Sequence, residues 1–116
     1  MALTKADLRN AVMTRMGVLA AGETANAADA ALVDQAIEDV HESLIQKGLA
    51  DWVTSAIPNV MKRPLIALVK YEVADDFSIP EARIGRWAVE ARGMFGDIRA
   101  LMSETQKGVP TKAEYF

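Results

Sequence analysis

Glu38, His41 and Glu42 are the residues whose types and spacing come nearest to chemistry. Glu38 and His41 form a Glu-x-x-His pair, and Glu42 lies one helical turn beyond Glu38. Carboxylates and an imidazole at this spacing are the donor set of the carboxylate metal sites built inside helix bundles. Such a site needs a Glu-x-x-His motif on each of two helices, plus further glutamates. His41 is the only histidine, so one chain supplies half of the pattern. Cysteine is absent, which removes thiolate zinc sites, cysteine nucleophiles and disulfides together. The chain contains no phosphate-binding loop, dinucleotide fingerprint or nucleophile elbow. The residues therefore predict no catalytic group, no metal and no cofactor, and His41 is expected at the boundary of a helix's apolar stripe.

The elements that must position these side chains are helical. At 116 residues, with 51% hydrophobic and 25% charged residues, the chain is expected to be one globular domain. Thr4 and Asp7 have capping-box spacing, with Leu3 and Leu8 placed to staple the start of a helix over 4–16 that Gly17 stops. Asn26, with Asp29 three residues on, predicts a second helix over 26–47 ended by Gly48, with a stripe of Leu32, Val33, Ala36, Ile37, Val40, Leu44 and Ile45. Trp52 and Ile57 are expected to close one end of the core, before a short turn near Asn59–Lys62 and a third helix over 64–77. Ser78 and Glu81 form a second capping-box pattern with Pro80 in the first turn, which predicts a fourth helix over 79–104. Gly93 and Gly96 on that helix are compatible with a tight crossing by another backbone. No strand-like alternation is visible. The expected fold is all-α, a small four-helix domain over 1–105 with Leu32, Ile37, Leu44, Leu68, Val69, Trp87, Phe95 and Ile98 inside, followed by an extended C-terminal arm over 106–116.

The arm differs from everything before it. It carries Gly108, Val109 and Pro110, has no helical stripe, and closes on Tyr115 and Phe116. Tyrosine and phenylalanine have large buriable areas and are favoured interface anchors. Val109, Pro110, Tyr115 and Phe116 are thus candidate partner-binding residues, either on another chain or folded back onto their own domain.

Charge is also unevenly spread. From Glu23 to Glu42 every Asp, Glu, Lys and Arg position is acidic, whereas the fourth helix carries Arg83, Arg86, Arg92 and Arg99. These are either two solvated faces or the two halves of a contact between copies, with Glu38 and Glu42 of one chain meeting Arg86 and Arg92 of the next. A net charge of −3 and a pI near 5.1 do not suit a dedicated nucleic-acid binder. No apolar run approaches the ~20 residues of a membrane span, so no membrane partner is expected. The first residues have no apolar signal core and read as mature structure, and the lack of cysteine fits a reducing cytoplasm.

In the order of these features the chain resembles the head–tail connector, or head-completion adaptor, proteins of tailed bacteriophages and gene transfer agents. The resemblance runs through a first helix from Thr4 to Met16 ending in Gly17-Val18, and a loop with Gly22-Glu23. A second helix follows with Asp34-Gln35-Ala36-Ile37-Glu38-Asp39, then Gly48, Trp52, the Ile57-Pro58 step and an apolar helix closing in Asp76-Phe77. A long helix and the arm ending Glu114-Tyr115-Phe116 complete it. It implies a virion protein that forms a ring, typically of twelve copies, beneath the portal protein at one capsid vertex. Such a ring assembles in the host bacterial cytoplasm after packaging, extends the DNA channel without binding DNA specifically, and presents a surface to tail or stopper proteins. It also implies that the arm engages the portal or a neighbouring copy.

The alternative from a different class is a small helical DNA-binding regulator, with the first two helices as a helix-turn-helix. The polar side of its recognition helix would be acidic, and phosphate repels it.

Overall fold

The computed structural model describes residues 2–20 and 22–106. Four helices carry the fold: α1 (Lys5–Met16), α2 (Ala27–Gln46), α3 (Lys62–Glu72) and α4 (Glu81–Gln106). Two-residue strands β1 (Ala2–Leu3) and β2 (Ile57–Pro58) pair antiparallel, joining the N-terminus to the segment before α3. The all-α expectation holds, with this minimal ribbon as the addition.

Local chemistry sets the helix ends. The Thr4 hydroxyl accepts from the Asp7 backbone N–H, and the Asp7 carboxylate accepts from the Thr4 N–H, each at 3.1 Å, completing the capping box. Asn26 Oδ1 accepts from the Asp29 N–H at 2.8 Å. Gly17 closes α1 at φ 84°, a left-handed conformation that glycine adopts without a Cβ penalty. Gly48, at φ 72°, does the same after α2, where the Leu49 N–H reaches back to the Leu44 carbonyl at 2.7 Å.

The core gathers around α3, in which every residue from Pro64 to Lys70 is buried. Leu8, Val12, Met13 and Met16 of α1, Val33, Ile37 and Leu44 of α2, and Trp87, Ala91 and Ile98 of α4 close on it. α3 packs against each of the other three helices, whereas α2 and α4 touch at most marginally.

Several expectations are corrected. Leu32 is 40% exposed and Ile45 47% exposed, because each lies one residue from the buried positions Val33 and Leu44, a rotation of about 100° off the inward face. Phe95 is only partly buried. α3 begins at Lys62, two residues before Pro64; the missing proline N–H falls among first-turn donors that have no helical acceptor. It ends at Glu72, and Ala74–Phe77 form a separate 3-10 turn. Ser78 does not cap α4. It sits at φ 56° as the left-handed close of that turn, outside the extended conformation an N-cap requires. The helix starts from the Pro80 carbonyl, which accepts from the Arg83 and Ile84 N–H groups at 3.0 Å, and it runs to Gln106, beyond the expected 104. Gly93 and Gly96 have no atom within 4 Å of where a Cβ would stand, so no backbone crosses them among the described residues.

The packing separates two leucines that the sequence pattern treats alike. Leu44→Ala should destabilise the domain by about 2–5 kcal/mol, and Leu32→Ala by no more than about 1 kcal/mol. Urea denaturation of both variants checks this; equal losses would place Leu32 in the core after all.

Candidate functional site

The Glu38, His41 and Glu42 group is divided among tertiary contacts. Glu38 Oε2 accepts from Lys5 Nζ of α1 at 2.8 Å and from the Thr54 hydroxyl at 3.2 Å. His41 Nε2 lies 2.7 Å from the Trp52 carbonyl, with the two rings 4.7 Å apart and tilted by 37°. Glu42 is exposed and makes neither an ion pair nor a side-chain hydrogen bond among the described residues. The role of Glu38 and His41 visible here is to tie the 50–57 segment and α1 to α2. Among the described residues no three His, Asp or Glu side chains gather as a metal site.

The acidic line along α2 is partly neutralised within the chain. Arg9 binds Asp34 through both carboxylate oxygens, at 2.9 and 3.2 Å, beside the Lys5–Glu38 pair. α1 therefore lays two cations along α2. Asp39, which accepts from Gln35 at 3.0 Å, and Glu42 remain as the exposed acids of its second half. The hydrogen bond from Lys5 holds the Glu38 carboxyl below its ordinary range against the opposing effect of burial, and the Thr54 hydroxyl helps. The same hydrogen bond raises Lys5.

On α4 the four arginines have different roles. Arg83 lies 4.9 Å from the Trp87 ring centre and donates to the Met16 carbonyl at 3.2 Å, meeting the negative end of α1. Arg86, Arg92 and Arg99 are exposed and form no ion pair among the described residues. Inside the fold, Lys70 is buried, pairs with Glu90 at 3.2 Å and sits 4.8 Å from the Trp87 ring centre. The sequence pattern gives no signal for the Lys70–Glu90 pair or for the Arg83 bond, because both cross between helices far apart in the chain.

Since α2 and α4 barely meet, a groove of about 380 Å³ opens between them above α3. Val40, Leu68, Ala88, Ala91 and Phe95 give it an apolar lining, with Asp39, Glu72 and Arg92 among its polar residues. Lys47 reaches from the end of α2 to 5.4 Å from the centre of the Phe95 ring. Arg92 and Asp39 thus border one cleft rather than standing on opposite sides of the domain. Tyr71, 43% exposed, also lines it. No sequence pattern marked this groove, because its residues serve three helices and each reads as ordinary core flank. Val109, Pro110, Tyr115 and Phe116 lie outside the described residues. No described helix is long and apolar enough to cross a membrane. Comparison of the chain with family models, with curated proteins and with solved structures finds no match in any of the three.

The Lys5–Glu38 pair carries a pH signature. A carboxyl with a lowered folded pKa stabilises above its ordinary value of 4.5, and that share is lost as the pH falls through the folded value. Both side chains are more than a third exposed, so the pair should contribute no more than about 0.2–1 kcal/mol. Glu38→Gln should accordingly be slightly less stable than the parent at pH 7 and should converge with it in acid, at a pH below the lowered folded value. Chemical denaturation at both pH values checks this, and a gap that persists unchanged in acid would show that the charge on Glu38 is not the cause.

Proposed function

We propose that this chain is a structural head–tail connector of a tailed bacteriophage or gene transfer agent. In this reading copies form a ring below the portal protein at the capsid vertex, extend the DNA channel and offer tail or stopper proteins a surface. The observation that carries it is exposed charge without an ion pair among the described residues, with Asp39 and Glu42 on α2 and with Arg86, Arg92 and Arg99 on α4 beside the exposed acids Glu81 and Asp97. Asp39 and Arg92 share one groove, so the opposite-sign contact between copies falls to Glu42 against Arg86 and Arg99; a heterologous contact of this kind closes into a ring when the rotation between copies allows. The order of sequence features that resembles the connector family supports the same reading. Polar side contacts of this kind are weak individually, so a preformed portal ring supplies the local concentration that closes the assembly. The outward acids of α2 weigh against the alternative of a DNA-binding regulator, whose second helix must enter the major groove.

Within this reading the segment 106–116 anchors the subunit on the portal or on a neighbouring copy. Burying Tyr115 and Phe116 would contribute roughly 3–6 kcal/mol before ordering costs, at about 1.5–3 kcal/mol for each. Proline at 110 limits the freedom lost on docking.

Electron microscopy of the purified chain mixed with a candidate portal should show an added ring beneath it. Reversing Arg86 and Arg99 to Glu should weaken ring formation while leaving the helical content and thermal midpoint nearly unchanged. Deleting 108–116 should leave the helical domain folded and sharply reduce docking. Rings that form equally well with both arginines reversed would remove the electrostatic argument, and undiminished docking by the truncated chain would remove the anchor.

A further inference from the structure

We infer that the groove between α2 and α4 is the docking site for this chain's own segment 107–116, which folds back along α4 and seats Tyr115 and Phe116 on its apolar lining. The segment starts where α4, itself one wall of the groove, ends at Gln106. Along that helix the walls contributed by Phe95 and Ala88 lie about 16 and 27 Å back, at about 1.5 Å per residue. Ten residues span up to about 33 Å when extended. With the reversal at Gly108 and Pro110, the six residues beyond it span up to about 20 Å, so Tyr115 and Phe116 reach the Phe95 end of the groove but not its Ala88 end. Gly108 and Pro110, at the start of the segment, are turn-forming residues suited to that reversal.

The chemistry of the two surfaces agrees. The groove offers Val40, Leu68 and Phe95 to aromatic side chains, which pack well beside another ring. Its polar residues have both signs, Asp39 and Glu72 against Arg92, with Lys47 beside Phe95. The segment also has both, with Lys107 and Lys112 against Glu114. A tethered ligand experiences its site at an effective concentration in the millimolar range, so even weak docking fills the groove in the free chain. The inference concerns the isolated chain and stands whether or not the chain is a connector.

The absence of cysteine makes a disulfide trap unambiguous. Ser43→Cys in the groove is combined with Glu114→Cys in the segment, and the purified chain is oxidised at micromolar concentration. The expected product is an intramolecular disulfide, formed roughly 100-fold faster than any link between chains and at a rate unaffected by tenfold dilution. The paired control, Asp97→Cys with Glu114→Cys, places the thiol at an exposed position of α4 outside the groove and about as far back from Gln106 as Phe95, and should react at least about tenfold more slowly, since without docking the effective concentration there is lower. Adding Tyr115→Ser and Phe116→Ser to the groove pair should reduce its rate to that of the control. Equal rates for the groove and control pairs, or a groove rate indifferent to loss of the two aromatics, would overturn the inference. So would a link that forms only between chains and rises with concentration, which would assign the groove to the segment of a second copy.

Discussion

The fold depends on one constraint: the middle of α3 is apolar on every side. Residues Pro64 to Val69 carry no charge, and all of them are buried. A stretch of helix with no polar face has to be enclosed, and the described residues supply three other α-helices to enclose it. α1, α2 and α4 each take one side, and the ribbon of β1 and β2 fastens the N-terminus near the start of α3. The charge that does enter this environment, on Lys70, is held by Glu90 and by the face of Trp87. Removing either partner would leave a cation in a place from which water is largely excluded, which is why this pair matters more than its single hydrogen bond suggests. Three helices around a fourth do not close the circle. The gap between α2 and α4 is the geometric remainder of enclosing α3.

Electrostatics reshapes the charge asymmetry that the sequence displays. Lys5 and Arg9 of α1 lie along the acids of α2, and Arg83 of α4 reaches the last turn of α1. These contacts order the helices relative to one another more than they stabilise them, since ion pairs this exposed are individually weak. Their second consequence is subtractive. A surface contact between copies has fewer charges to work with than the linear count implies, since Lys5, Arg9, Asp34, Glu38, Lys70 and Glu90 are already paired. Such a surface favours orientation and reversible encounter over tight association.

What was legible in the sequence is what depends on neighbours a few residues away. Thr4 with Asp7, Asn26 with Asp29, Gly17 and Gly48 all perform the roles their types announce, because a cap is a local hydrogen-bond problem. Ser78 has the same local pattern and fails. The 3-10 turn before it needs a left-handed closing residue, and that tertiary demand overrides the capping preference. Leu32 was misplaced because a long amphipathic helix presents apolar residues on the flanks of its buried stripe, and only the angle at which α1 and α3 pack decides which flank is covered. The contacts that define the candidate surfaces were illegible for the same reason. Glu38 with Lys5, Arg9 with Asp34, Lys70 with Glu90, and the walls of the groove all join residues separated by long stretches of chain, so no spacing rule reports them.

The groove and the anchoring role proposed for the segment 106–116 are compatible because they use one contact with two connectivities. A segment that docks in its own chain's groove and a segment that docks in a neighbour's make the same side-chain interactions; the difference is the entropy of the tether and the number of copies nearby. In dilute solution the tether would favour the chain's own groove, and the inferred docking would cover the aromatic surface of Tyr115 and Phe116. On the proposed portal ring, neighbours would be held at comparable effective concentration, and a partner surface that binds the segment better than the groove does would draw it out. The free energy available for that exchange is only the difference between the two sites, since occupancy of the first must be given up. A groove of about 380 Å³ whose lining mixes apolar residues with charges of both signs would suit such an exchange, since neither a purely apolar nor a purely ionic partner satisfies all of it.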